Sequence, residues 1–209
     1  MFIKICGITN EDDALAAVKA GADALGFVLW PQSKRFVAIE VTAQISKLLP
    51  PNVARVAVLV NPSDEEVERL LASGAFNTLQ FHGEEPPSFC AAWRGRAKIW
   101  KAFRVTNTAS LAPMAAYSVV DAVLLDSYSP HARGGTGQTF DWSLVRQARE
   151  CGKSVILSGG LTPANVRVAI AQAKPDGVDV SSGLEVSPGR KDHDLVREFI
   201  RNAKADFTT

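Results

Sequence analysis

Two residues of this 209-residue chain stand where short apolar runs end, and their types suit proton transfer. Cys6 closes Phe2-Ile3-Lys4-Ile5 and precedes Gly7, while Asp126 closes Val123-Leu124-Leu125. A thiolate can take a proton and a carboxylic acid can give one, so the pair could carry out general acid–base chemistry. Other polar residues occupy comparable points: the segment from Pro31 to Arg35, Gln80 with His82 before Gly83, and Asp179. Ser158-Gly159-Gly160 and Ser181-Ser182-Gly183 follow two further runs. Small residues let backbone N–H groups approach closely, which suits a phosphate. Plainer roles exist for each. Free cysteine is often simply buried, and Cys90 and Cys151, on helical segments, read that way. Asp126 could cap a helix or tie a loop, and His82 could be a turn residue. His131 and His193 read as solvent-facing.

What positions these residues is a repeating pattern. Apolar runs rich in Val and Ile occupy residues 2–6, 24–29, 55–60, 78–81, 99–103, 122–125, 154–157 and 177–180. Segments of helical periodicity follow them. The first has Thr9 or Asn10 as N-cap, acids from Glu11 to Asp13 in its first turn and Gly21 as its stop. The others cover 41–49, 63–72, 87–93, 110–116, 142–150, 163–173 and 193–203. Ser63 with Glu66 has the form of a capping box, and Thr162 with Pro163 that of an N-cap followed by proline. Strand–helix alternation with runs apolar on both faces predicts parallel strands under helices. Eight such units predict a single-domain (β/α)8 TIM barrel over residues 1–209, whose active site lies at the C-terminal strand ends. There, the loops after the seventh and eighth strands are frequent phosphate sites, and both glycine segments fall in them.

Composition narrows the function. With 23 Lys and Arg against 22 Asp and Glu, the net charge of +1 offers no electrostatic footprint for nucleic acid, so an anionic ligand must be met by a local site. No apolar run reaches the roughly 20 residues of a membrane span, and the first residues carry no targeting pattern, which predicts a cytoplasmic protein. Three cysteines without Cys-x-x-Cys spacing predict neither a disulfide framework nor a metal cluster. The expected partner is a phosphorylated small molecule, with no nucleic acid or membrane, and the expected assembly is a monomer or weak homodimer.

Seven motifs in order, spanning nearly the whole chain, resemble phosphoribosylanthranilate isomerase. They are Lys4-Ile5-Cys6-Gly7-Ile8-Thr9, Gly26-Phe27-Val28 leading to Pro31, Ser33 and Arg35, Leu79-Gln80-Phe81-His82-Gly83, Leu125-Asp126-Ser127, Gly134-Gly135-Thr136-Gly137 with Phe140-Asp141-Trp142, Ser158-Gly159-Gly160-Leu161, and Asp179-Val180-Ser181-Ser182-Gly183. Thr136 departs from the small serine common there, without consequence for the chemistry. The resemblance implies an Amadori rearrangement in tryptophan biosynthesis with no metal or organic cofactor. It implies Cys6 as base and Asp126 as acid, the latter in an apolar or anionic neighbourhood that keeps it protonated. Arg35 would pair with the anthranilate carboxylate; Gln80, His82 and Asp179 would line the site; Gly159, Gly160, Ser181, Ser182 and Gly183 would hold the phosphate. The stretch from Gly134 to Gly137 is expected to be a mobile lid. Two rivals are weighed: a histidine-pathway isomerase, which should carry aspartate at position 6 and a second phosphate site, and a non-catalytic phosphosugar-binding barrel, which would lack the acid/base pair.

Overall fold

The computed structural model describes residues 1–126, 143–150 and 152–205. Its elements run β1 Phe2–Cys6, α1 Glu11–Ala20, β2 Ala24–Val28, α2 Ile39–Leu48, β3 Ala54–Leu59, α3 Asp64–Ala72, β4 Thr78–Phe81, α4 Pro87–Ala92 and β5 Lys98–Arg104. A 3-10 segment Thr108–Ala116 follows, then β6 Ala122–Asp126, α5 Ser143–Arg149, β7 Ser154–Ser158, α6 Val166–Ala173 and β8 Gly177–Val180. A 3-10 turn Ser182–Leu184, β9 Glu185–Ser187, β10 Arg190–Lys191 and α7 His193–Lys204 complete the order. Strands β1 to β8 form a closed barrel in sequence order. All eight pair in parallel, and β1 closes on β8 with Lys4 opposite Asp179. This is the expected (β/α)8 barrel. Gly134 to Gly137, His131, Cys151 and the segment Phe140-Asp141-Trp142 lie outside the described residues.

Local chemistry explains the elements. Asn10 caps α1 by accepting from the Asp13 N–H at 2.9 Å, three acids face the helix N-terminus, and Gly21 ends the helix with φ 100°. Ser63 and Glu66 form the capping box of α3. Thr162 does not cap α6. The helix starts at Val166, and the Asn165 side chain instead bridges the Thr162 N–H and the Gly160 carbonyl, at 2.8 and 2.9 Å. The segment 110–116, expected as an α-helix, is 3-10 from Thr108, with Pro113 inside it removing a donor.

Successive strand residues face opposite sides, so the barrel has two cores. One lies between sheet and helices; the other, inside the barrel, includes Cys6, Val56, Val58, Trp100, Ala102, Leu124 and Ile156. At the N-terminal end Phe2 packs edge-on to Trp100. There the odd strands share a device that sequence reading missed. The first ladder N–H of β1, β3, β5 and β7, at Ile3, Arg55, Ile99 and Val155, donates to Asp23, Asn77, Asp121 and Asp176 at 2.7–2.9 Å. Each acceptor immediately precedes the next even strand. These four side chains satisfy N–H groups that the sheet itself leaves unpaired.

Candidate active site

Cys6 and Lys4 occupy one face of β1, Asp126 shares the face of Ala122 and Leu124 on β6, and Asp179 stands on β8 beside β1. Alternation thus turns the predicted acid and base inward at the C-terminal ends of strands three places apart around the barrel. Cys6 is 8% exposed, and burial pushes its thiol pKa up. Its neighbour in register is Gly26. A Cβ on Gly26 would fall 2.8 Å from the Cys6 Sγ, 2.9 Å from the Lys4 Cε and 3.0 Å from the Lys4 Nζ, so the bare glycine makes the room in which these side chains meet.

Lys4, fully buried, donates to Asp179 Oδ1 at 2.9 Å, and Ser158 Oγ approaches Asp179 Oδ2 at 3.5 Å. Asp179, expected to line the sugar site, is therefore first the counter-ion of a lysine. Beside it, Glu185 joins Arg35 and Lys191. Arg35 donates through Nε at 2.8 Å and Nη2 at 2.6 Å, and Lys191 Nζ donates to Glu185 at 2.8 Å and to the Ser181 carbonyl at 3.2 Å. Burial opposes ionisation of Glu185, but these bonds outweigh it and hold the carboxyl below the usual carboxylate range. This pairing uses the Nε–Nη2 edge of Arg35 and, among the described residues, leaves its Nη1 side for a ligand.

Gln80 Nε2 donates to His82 Nδ1 at 3.2 Å, which places the remaining ring proton on Nε2, 3.4 Å from Asp126 Oδ2. Asp126 is partly exposed, and among the described residues its carboxylate meets this imidazole. His193 is not simply solvent-facing: its Nε2 lies 2.8 Å from Asp13 Oδ1.

The two glycine loops meet. A Cβ on Gly183 would fall 2.0 Å from the Leu161 carbonyl oxygen, so glycine there allows the β7 and β8 loops to touch. Gly159 and Gly160 have φ 90° and 63°, and a Cβ on Gly160 would point into open space. Among the described residues, two buried polar atoms here have no partner: Gln80 Oε1 and Ser181 Oγ. Among the described residues no three His, Cys, Asp or Glu side chains are grouped to hold a metal, and no helix is long and apolar enough to cross a membrane. A separate cleft, lined by Trp30, Phe36, Asn61 and Arg69 among others, contains neither Cys6 nor Asp126.

Sequence reading missed Lys4, Gly26, Glu185 and Lys191 as site residues. A lysine inside an apolar strand, two places before Cys6, was a usable signal; Glu185 and Lys191 gave none.

A family model described as N-(5'phosphoribosyl)anthranilate (PRA) isomerase matches residues 3–202. The chain is similar to N-(5'-phosphoribosyl)anthranilate isomerase of Geobacter metallireducens, 52% identical over 203 residues that cover 97% of this chain and 98% of that protein. Its fold is similar to the crystal structure of phosphoribosyl anthranilate isomerase from Thermotoga maritima, with TM-score 0.91, 46% identity and 98% of each chain covered. It is also similar to a phosphoribosyl anthranilate isomerase solved in complex with reduced 1-(o-carboxyphenylamino)-1-deoxyribulose 5-phosphate, with TM-score 0.88, 44% identity and 98% of each chain covered. By the extent of these matches and the fold that carries them, this chain belongs to the N-(5'-phosphoribosyl)anthranilate isomerase family.

Proposed function

We propose that this isomerase of tryptophan biosynthesis converts N-(5-phosphoribosyl)anthranilate to 1-(2-carboxyphenylamino)-1-deoxyribulose 5-phosphate with Asp126 as general acid and Cys6 as general base. Asp126 protonates the furanose ring oxygen as the bond from that oxygen to carbon 1 breaks, and the anthranilate nitrogen supplies the electron pair that forms the iminium. The iminium makes the hydrogen on carbon 2 acidic. The Cys6 thiolate takes that proton, and the enolamine so formed tautomerises to the aminoketone product. His82, with its proton on Nε2, stabilises the carboxylate that Asp126 becomes. Arg35 Nη1 meets the anthranilate carboxylate. Backbone N–H groups of Gly159, Gly160 and the turn from Ser181 to Gly183 meet the phosphate, with Ser181 Oγ as a further partner.

The observation that carries this reading is the placement of Cys6 and Asp126 on the inward face at the mouth of one barrel, beside two orphaned polar atoms. Every proposed site residue comes from one chain, so a monomer or a weak homodimer would serve equally. Titration with the reduced product analogue tests the placement: binding should protect Cys6 from alkylation. An analogue that binds while leaving Cys6 fully reactive would put the site elsewhere.

A further inference from the structure

We propose that Lys4 is a positioning residue for this reaction: its buried ammonium, held by Asp179, lies against the Cys6 thiol in the niche left by Gly26 and stabilises the thiolate that accepts the substrate proton. This rests on the reading of Cys6 as the base.

The geometry comes first. Lys4 and Cys6 are two residues apart on one strand and therefore share a face. The Cβ that Gly26 lacks would touch the end of both side chains at once. Gly26 has no left-handed φ to accommodate, so its need for glycine is one of space. Lys4 is fixed from the other side by the 2.9 Å bond to Asp179. A buried ion pair is a poor way to fill a barrel interior, since an apolar pair of like volume commonly does as well or better. A role in setting the state of the adjacent thiol gives the charge a purpose there.

Among the described residues, four charged groups act on or around the thiol. Lys4 comes from β1, Asp179 from β8, Lys191 from β10 and Arg35 from the loop after β2. Burial raises the thiol pKa, Lys4 opposes this by charge and hydrogen bonding, Asp179 adds to the rise, and Lys191 opposes it more weakly than Lys4. Lys191 and Arg35 are both engaged by Glu185. Lys4 is thus the cation whose position depends on the thiol strand itself. For Lys4, burial works against the charge, yet Asp179 and the Cys6 thiolate together keep its pKa raised, so it remains an ammonium wherever the thiolate is needed.

The test is the pH dependence of Cys6 alkylation by iodoacetamide, followed by mass spectrometry of the Cys6 peptide, in the wild type, Lys4→Met, Asp179→Asn, and Lys4→Met/Asp179→Asn. The double variant removes the unpaired carboxylate that could compromise folding of the single one. Loss of a close opposite charge should move the midpoint upward by about one to three pH units in Lys4→Met, and by less in the double variant, where the opposing Asp179 charge is gone as well. The acidic limb of kcat/KM, which rises as the thiol ionises, should move with it. A midpoint unchanged in folded Lys4→Met, or no higher in the double variant than in Asp179→Asn alone, would overturn the proposal. Full activity in Cys6→Ser would instead overturn the base assignment, while the alkylation profile would still report on Lys4.

Discussion

The guanidinium of Arg35 grips the carboxylate of Glu185 across 150 residues of sequence, with Nε–Oε1 at 2.8 Å and Nη2–Oε2 at 2.6 Å. The side chain proposed to meet the anthranilate carboxylate is therefore already aimed by a second carboxylate of its own chain. Such bidentate pairing fixes the plane of a guanidinium and leaves one edge for the ligand. Substrate binding then requires no reorganisation of a long, flexible side chain.

The two ends of the substrate should separate by mutation. Arg35→Met should weaken the reduced product analogue by about 1.5–3 kcal/mol, the scale of a charged hydrogen bond, and leave inhibition by inorganic phosphate unchanged. Gly160→Asn should weaken both, because Asn tolerates φ 63° but fills the open space above the loop. Phosphate inhibition that depended on Arg35 and ignored Gly160 would reverse the assignment of the two ends.

Gly26→Ala places a methyl 2.8 Å from the Cys6 Sγ and 2.9 Å from the Lys4 Cε. The collision involves side-chain ends, so the barrel should survive with a loss of about 1–3 kcal/mol in stability. Displacing the proposed base should lower kcat on the order of 10²-fold. Steady-state rates and thermal melts on one preparation check both numbers, and an alanine variant of normal kcat would mean that the niche has no bearing on the thiol.

Glu185 links the site to acid stability. Its folded pKa lies below the ordinary 4.5, so its contribution is fully present above that value and is lost as pH falls through the lower folded one. The stability difference between wild type and Glu185→Gln should therefore be largest near neutrality and shrink in acid. Denaturant unfolding at several pH values measures it; a difference constant from neutrality into acid would remove Glu185 from this role.

Asp121 accepts the Ile99 N–H at 2.7 Å at the end of the barrel opposite the site. Asp121→Ala should cost about 1–3 kcal/mol of stability, as expected for an unsatisfied partly buried donor, and leave kcat and KM unchanged. A loss of activity in a stable Asp121→Ala protein would contradict the division between a structural and a catalytic end.

The barrel was legible because parallel strands buried on both faces read as apolar runs, and each run ended close to where its strand ends. Cys6 and Asp126 could be singled out because they close two such runs. Other features depend on distance in space. Lys4 stands out in its apolar strand, but its partner is set only when barrel closure brings Asp179, 175 residues away, against it. Likewise, Asp23, Asn77, Asp121 and Asp176 look like ordinary loop residues until the N–H groups they accept are found on the preceding strands. The hairpin of Glu185–Ser187 and Arg190–Lys191 is too short for any alternation to appear, so the carboxylate it presents to Arg35 gave no signal. Pro113 was an available but unread sign against a regular helix over 110–116, and the 3-10 segment is its consequence.

The proposed assignment of one thiol and one carboxyl to the isomerisation is tested by turnover of N-(5-phosphoribosyl)anthranilate generated in the cuvette, followed as loss of anthranilate-type fluorescence. The wild type should turn over, while Cys6→Ser and Asp126→Asn should each lose roughly 100- to 10,000-fold in rate and still bind the reduced product analogue. Near-normal turnover in either purified variant would contradict the account.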